Sequence, residues 1–123
     1  MAAPNIVNVT SIYGKTTGVA LDTTLTTALL ANGLNSGKLL KLNSIIISNI
    51  DGTNSVNIDV AVNLSGDARF YLAKTVALPA DSTLVVIGKD SPIYLEEGDE
   101  LEARASAASD AELVVSYEIL DDA

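Results

Sequence analysis

The side chains that could do chemistry in this chain are hydroxyls, lysines and carboxylates, because its 123 residues include no His and no Cys. Histidine is the side chain that transfers protons most readily near neutral pH, and thiolates and imidazoles are the ligands that soft metals prefer. A Ser or Thr nucleophile would need a Lys base, and none of the five lysines follows a Ser-x-x-Lys pattern. The residue types therefore predict a non-enzymatic protein with no catalytic, cofactor-binding or metal-binding residues.

One short motif resembles part of a phosphate-binding loop. Gly14-Lys15-Thr16 matches the end of that loop, which also needs a glycine five residues before Gly14 so that backbone amides can surround the phosphates. Val9 occupies that position, and no helix clearly follows the triplet. We therefore interpret the triplet as a hairpin turn.

Carboxylates cluster at residues 96–100, where Glu96, Glu97, Asp99 and Glu100 surround Gly98. Hard cations such as calcium bind several carboxylate oxygens, but the order of these residues does not match the helix-flanked calcium loop. Adjacent side chains in a strand point to opposite faces, so only some of the four could converge. The run favours a solvated turn over a cation site.

Asp59 is a candidate acid–base residue only because it lies inside an apolar strand. A pair of catalytic carboxylates would need one member with a raised pKa in a cleft. Its neighbours Asn57, Ala61 and Asn63 place Asp59 on the polar face of the strand, so the pattern does not support catalysis.

Acidic residues are concentrated in the second half of the chain. Residues 1–60 carry three acids and three bases, whereas residues 61–123 carry thirteen acids and four bases, which gives the net charge of −9. An acidic surface repels nucleic-acid phosphates and anionic membranes, so we predict neither as a partner. The excess of carboxylates indicates either a solvated face or a docking face for a basic partner.

No segment indicates export or membrane insertion. The first five residues, MAAPN, contain no basic stretch followed by an apolar one, so no signal peptide is predicted. No apolar run approaches the ~20 residues that span a bilayer. We expect synthesis in a cytoplasm, and the lack of Cys excludes disulfides and Cys-ligated zinc.

Alternation of apolar and polar residues predicts an all-β chain, most clearly in Val56–Leu64. Gly, Pro, Asn and Asp separate similar segments at short intervals, which is typical of an antiparallel sandwich or barrel with eight or nine short strands. Asp51-Gly52 is the strongest hairpin-turn signal. The predicted strands are residues 5–13, 16–21, 39–49, 56–64, 69–78, 83–87, 93–95, 100–105 and 112–120.

The length predicts a single domain over residues 1–123, in which residues 1–20 form an N-terminal arm or an edge strand. Residues 22–34 fit two structures: Leu21, Leu25 and Leu29 have helical spacing, whereas the threonines favour a strand, which we prefer. The predicted core includes Ile58, Val60, Val62, Phe70, Leu72, Leu101, Val115 and Ile119.

Several stretches between about residue 36 and residue 120 form a distinctive order, namely residues 36–45 (SGKLLKLNSI), the strand end at 48–49, 71–84 (YLAKTVALPADSTL), 93–101 (IYLEEGDEL) and 114–119 (VVSYEI). This order of features resembles small β-sandwich structural proteins of tailed bacteriophage virions. This likeness lies in the pattern of the chain and carries no functional residues across.

The resemblance implies a jelly-roll-like sandwich that serves as a capsid decoration or cement protein, or as a neck or tail component. It implies a homo-oligomer, with a trimer favoured, that contacts the major capsid protein or other virion proteins and is located in the virion. The alternative is a tail, neck or fibre component that binds a receptor or glycan. That role would depend on the few available rings, namely Tyr13, Phe70, Tyr71, Tyr94 and Tyr117, of which Phe70 and Tyr117 are predicted in or near the core.

Overall fold

The computed structural model describes residues 7–65 and 68–121, with only the backbone described for residues 26–29. The regular elements in these ranges are nine β-strands, and no helix occurs among them. The strands are β1 (Ser11–Ala20), β2 (Thr26–Ala31), β3 (Lys38–Asn49), β4 (Val56–Leu64), β5 (Ala68–Leu78), β6 (Thr83–Ile87), β7 (Ile93–Leu95), β8 (Glu100–Ala105) and β9 (Ala111–Asp121).

The strands form two antiparallel sheets. The five-stranded sheet has the order β1-β9-β3-β6, with β7 also paired to β3, and the four-stranded sheet has the order β2-β8-β4-β5. β6 and β7 pair with successive parts of β3, so together they occupy the position of one interrupted strand. With that position counted once, the order is that of a jelly roll, in which two sheets are wound from eight strand positions. The predicted all-β sandwich is therefore confirmed.

The core lies between the sheets and consists mainly of aliphatic side chains. Every second residue of β4 and β8 points inward, as the alternation in the sequence predicts. Each fully buried aliphatic side chain contributes about 1.5–3 kcal/mol of transfer free energy. The most deeply buried residues of this core are Leu42, Ile45, Ile47, Ile58, Val60, Leu95, Leu101, Ala103, Ala105, Ala111, Leu113 and Val115.

The start of the chain differs from the prediction. We predicted strands at residues 5–13 and 16–21 with a turn at Gly14, but β1 runs without interruption from Ser11 to Ala20. Ten successive residues of β1 pair with β9. Gly14 is tolerated because β1 lies at a sheet edge, where a strand residue has few side-chain neighbours to pack against. Residues 5–6 of the predicted first strand lie outside the described ranges, and residues 22–34 contain strand β2, as preferred.

The Asp51-Gly52 hairpin prediction is wrong. β3 and β4 flank this turn but belong to different sheets, so the segment crosses from one sheet to the other. Asp51 accepts hydrogen bonds from the Thr53 and Asn54 amides at 2.8 and 3.3 Å. The Asn49 side chain anchors the crossing, because its Nδ2 donates to the carbonyls of Asn54 and Leu78 at 2.9 and 3.0 Å. Asp51-Gly52 correctly indicated a break between two strands. The local sequence did not indicate which strands β3 and β4 pair with.

Phe70 is the one predicted core residue that the structure leaves exposed. Its side chain is 57% accessible, whereas Val62, its register partner on β4, is buried. β5 pairs only with β4 and is an edge strand, so the ring has no neighbouring strand on its other side. Leu72 and Ile119 are partly buried against the core, and the other predicted core residues are buried.

Candidate functional site

The outer face of the four-stranded sheet carries the most unusual polar chemistry of the molecule. Ile58, Val60 and Val62 of β4 point into the core, so the residues between them point outward, and the same alternation applies to β8. Register then places Asp59 of β4 opposite Arg104 of β8. We call the outward-facing set Asp59, Arg69, Glu102 and Arg104 the ion-pair face.

Asp59 is buried although it lies on the outer face. Its Oδ2 accepts a hydrogen bond from Arg104 Nε at 2.6 Å, and its Oδ1 accepts one from the Thr75 amide at 2.6 Å. Thr75 has a positive φ of 50°, which is unusual for a β-branched residue, in the irregular part of β5. Burial alone would raise the pKa of Asp59, but the Thr75 amide, Arg104 and Lys74 together lower it.

Glu102 is completely buried and lies next to Arg69. Arg69 Nε donates to Glu102 Oε1 at 2.7 Å, and Arg69 Nη2 donates to Oε2 at 3.4 Å, so the two planar groups form a bidentate pair. The hydrogen bond to Glu102 is the main reason that the pKa of Arg69 is raised. The guanidinium remains partly exposed and covers the carboxylate from solvent.

This arrangement supports rigidity better than proton transfer. A general acid needs a carboxyl that is protonated near neutral pH, but the lowered pKa of Asp59 keeps it ionised there. Alternation in the sequence correctly predicted that Asp59 faces outward. The alternation could not predict that Glu102 and Asp59 are buried. Arg69 and Arg104 shield them from solvent, and these contacts depend on pairing between strands that are distant in the sequence.

The acidic turn at residues 96–100 uses its carboxylates to hold loops. Asp99 is buried, and its two oxygens accept hydrogen bonds from the Ser65 and Glu96 amides at 2.9 and 2.8 Å. Glu97 Oε2 accepts a hydrogen bond from the Gly37 amide at 2.7 Å. Gly98 has a positive φ of 91°, a conformation that favours glycine. The described ranges contain no group of three or more carboxylates placed to hold a metal ion.

The Gly-Lys-Thr triplet lies in the middle of β1 and not in a turn, so our hairpin interpretation of it is wrong. β1 pairs with β9 on one side, and no other strand of residues 7–65 and 68–121 pairs with its other side. Lys15 is the only charged residue in this ten-residue strand. A long edge with so little charge is able to pair with a further strand.

Apolar side chains are exposed on one edge strand of each sheet. Ile12 and Tyr13 are exposed on β1, and Phe70 and Tyr71 are exposed on β5. Of the five rings considered for ligand stacking, Tyr94 is also exposed, whereas Tyr117 is buried as predicted. Because adjacent strand residues point to opposite faces, each of these two edges carries one exposed apolar side chain on either face of its sheet.

Neither the protein-family models nor the curated protein sequences that were searched match this chain. Its described part contains no helix that is long and apolar enough to cross a bilayer.

Proposed function

We propose that this chain is a virion structural protein of a tailed bacteriophage, which binds the capsid shell as a decoration protein and acts by assembly without catalysing a reaction. The observation that carries this proposal is the open edge of β1, which is long, nearly uncharged and exposes Ile12 and Tyr13. The proposed partners are the major capsid protein and further copies of the chain, with a trimer as the favoured oligomer.

Strand addition is the mode of contact that β1 supports. A partner strand placed along the free side of β1 would gain main-chain hydrogen bonds, and apolar side chains near the edge would add buried area. Natural proteins usually shorten, charge or cover such an edge, because an open one promotes association. Selection for assembly accounts for a nearly uncharged open edge in a chain whose net charge is −9.

The fold and the sequence resemblance support the same proposal. Jelly rolls recur in viral capsid domains, where rigid sandwiches pack side by side. Fold alone does not specify function, so the proposal also draws on the likeness of residues 36–120 to phage virion proteins. The ion-pair face adds rigidity to the four-stranded sheet, which suits a structural unit.

The location is tested by quantitative mass spectrometry of purified virions from the phage that encodes this chain. A copy number similar to that of the major capsid protein is expected for a decoration protein that covers the shell. A copy number of a few per cent or less would move the protein to the neck, tail or fibre. Absence from the particles would overturn the proposal.

The role of β1 is tested by adding one negative charge to its edge. Ile12→Asp should abolish particle binding while the circular dichroism spectrum stays that of the folded protein. Val85→Asp on β6 is the matched control, because Ile12 and Val85 are 57% and 59% exposed. Deletion of residues 2–13, which removes the start of β1, should also abolish binding. Normal binding by Ile12→Asp and by the deletion variant would refute the role of this edge.

A second candidate function is receptor or glycan binding at a tail or fibre tip. The observation that favours it is the exposure of Tyr13, Phe70, Tyr71 and Tyr94, since exposed rings stack on sugars. A glycan array, run with and without calcium, tests this role. Binding that is lost in Phe70→Ala or Tyr71→Ala would support it, and an array without hits would count against it.

A further inference from the structure

Asn32 links the two sheets just after the end of β2. Its side chain is buried, and its Nδ2 donates hydrogen bonds to the carbonyls of Lys38 and Leu95 at 2.8 and 2.9 Å. Lys38 begins β3 and Leu95 ends β7, so both acceptors belong to the five-stranded sheet, whereas β2 belongs to the four-stranded sheet. Ser36 Oγ donates to Asn32 Oδ1 at 2.6 Å. Both polar atoms of the carboxamide are therefore hydrogen-bonded.

Gly33 follows this asparagine, and an Asn-Gly pair has a specific reactivity. The backbone nitrogen of the glycine attacks the side-chain carbonyl carbon of the asparagine, and a new C–N bond closes a succinimide ring. The side-chain NH2 leaves with the backbone amide proton as ammonia. Water then opens the ring and gives either aspartate or isoaspartate, in which the backbone runs through the side chain. Glycine permits the attack best because it has no Cβ to obstruct the ring.

The folded structure opposes this reaction at Asn32. The nitrogen that leaves is Nδ2, so the reaction removes the donor of both hydrogen bonds to the five-stranded sheet. A buried carbonyl without a donor is costly. The backbone of Asn32 is also held, because its amide donates to the Asp99 carbonyl at 2.9 Å and its carbonyl accepts from the Gly98 amide at 2.8 Å. These bonds resist the rearrangement that ring closure needs.

The products of the reaction do not fit the folded structure either. Aspartate at this position replaces the Nδ2 donor with a carboxylate oxygen, which would face the carbonyl oxygens of Lys38 and Leu95. A buried carboxylate beside two acceptors lacks the hydrogen bonds that its charge requires. Isoaspartate adds one atom to the backbone between β2 and β3. A chain that reacts while unfolded is therefore unable to restore this link between the sheets.

We propose that Asn32-Gly33 is a latent deamidation site, which is protected in the folded protein and reactive in the unfolded chain, and that its reaction makes unfolding irreversible. A molecule that stays folded keeps its asparagine. A molecule that stays unfolded is converted and loses the ability to refold. The site is independent of the virion proposal and can be tested on the isolated protein.

The experiment compares the natural protein incubated at mildly alkaline pH with and without guanidinium chloride above its unfolding midpoint. Proteolytic fragments analysed by mass spectrometry give the fraction deamidated at Asn32. We expect conversion in the folded sample to be slower by about a thousandfold or more, because only the unfolded fraction reacts. Asn49 is the internal control, since the bulky Ile50 follows it and should keep it unconverted in both samples.

Two variants separate the reaction from its consequence. Gly33→Ala should fold normally, because no atom lies within 4 Å of a Cβ at this position and the φ of Gly33 is not positive. Its methyl group should slow conversion in guanidinium chloride severalfold. Asn32→Asp reproduces one product and should unfold at a lower denaturant concentration than the natural protein, or fail to fold.

Refolding of the incubated samples completes the test. After dilution from guanidinium chloride, circular dichroism should show that the refolded fraction of the natural protein falls as deamidation at Asn32 proceeds. Gly33→Ala should keep its ability to refold for longer under the same conditions. Equal rates of conversion in the folded and unfolded samples would overturn the proposal. Recovery of the native spectrum and denaturation midpoint by chains deamidated at Asn32 would also overturn it.

Discussion

Burial of Glu102 makes its pairing with Arg69 important for stability. Removing one partner of a buried ion pair leaves a charge without compensation, and Glu102 has no solvent contact. We expect Arg69→Ala to lower the free energy of unfolding by more than the loss of an exposed ion-pair partner does, because Arg69 covers the Glu102 carboxylate and donates two hydrogen bonds to it. Urea denaturation measures this change.

Lys41→Ala provides the comparison for that experiment. Lys41 and Glu118 also form an ion pair, but both side chains are substantially exposed and their charged atoms are 3.9 Å apart. Exposed pairs of this kind contribute less than about 1 kcal/mol. Similar losses in the two variants would show that Glu102 does not depend on Arg69.

Asp59 gives the stability of the protein a predictable pH dependence. Its pKa in the folded protein lies below the ordinary value of 3.8, so between the two values the unfolded chain binds more protons. The stabilisation by Asp59 is therefore complete above about pH 5 and is lost as the pH falls through 3.8 towards the native pKa.

We expect Asp59→Asn to be less stable than the natural protein at pH 7 and to lose less stability between pH 5 and the acid limit of folding. Urea midpoints measured across this range test the expectation. Glu112→Gln, which removes an exposed carboxylate, is the matched variant. An equal change of slope in both variants would contradict the assignment to Asp59.

At the scale of elements, the crossing from β3 to β4 depends on one buried side chain. Asn49 donates to two carbonyls and accepts a hydrogen bond from the Asp51 amide at 2.9 Å, so an apolar replacement leaves three backbone groups without partners. We expect Asn49→Ala to lower the free energy of unfolding by about 2–3 kcal/mol.

Asn54→Ala in the same segment is the control, because the Asn54 side chain is exposed and makes one hydrogen bond at 3.3 Å to Asp51. It should cost less than about 1 kcal/mol. Thermal denaturation of the two variants distinguishes them. Equal losses in the two variants would show that the buried Asn49 side chain stabilises the crossing no more than the exposed Asn54 side chain does.

Periodicity predicted elements best where one face of a strand is buried and the other is polar. The bounds predicted for β4 and β8 agree with the structure, because a strand with one buried face shows a regular alternation of apolar and polar residues. β1 shows no such alternation, because most of its side chains are exposed at a sheet edge. Gly14 was therefore interpreted as a turn. The link between β3 and β4 was misassigned because sheet membership depends on distant partners.

The ion-pair face also depends on contacts that the local sequence does not show. The sequence identified the outward direction of Asp59 but not the contact of Glu102 with Arg69, which are 33 residues apart in the chain. A contact between residues of distant strands therefore decides the structure of this face.

At the scale of the whole molecule, contact of the β1 edge with a neighbouring copy predicts that stability depends on protein concentration. In a trimer this edge contacts a different surface of the next copy, because pairing of two β1 edges would close a dimer. If three copies associate in the folded state and dissociate on unfolding, mass action stabilises the folded form at higher concentration. We expect the melting temperature to rise as the protein is concentrated, and light scattering after size-exclusion chromatography to give the mass of a trimer. Ile12→Asp should give a monomer whose melting temperature does not vary, whereas Val85→Asp should behave as the natural protein. If the natural protein remained monomeric at every concentration, self-association through β1 would be refuted. The proposed contacts of the β1 edge would then be with other virion proteins alone.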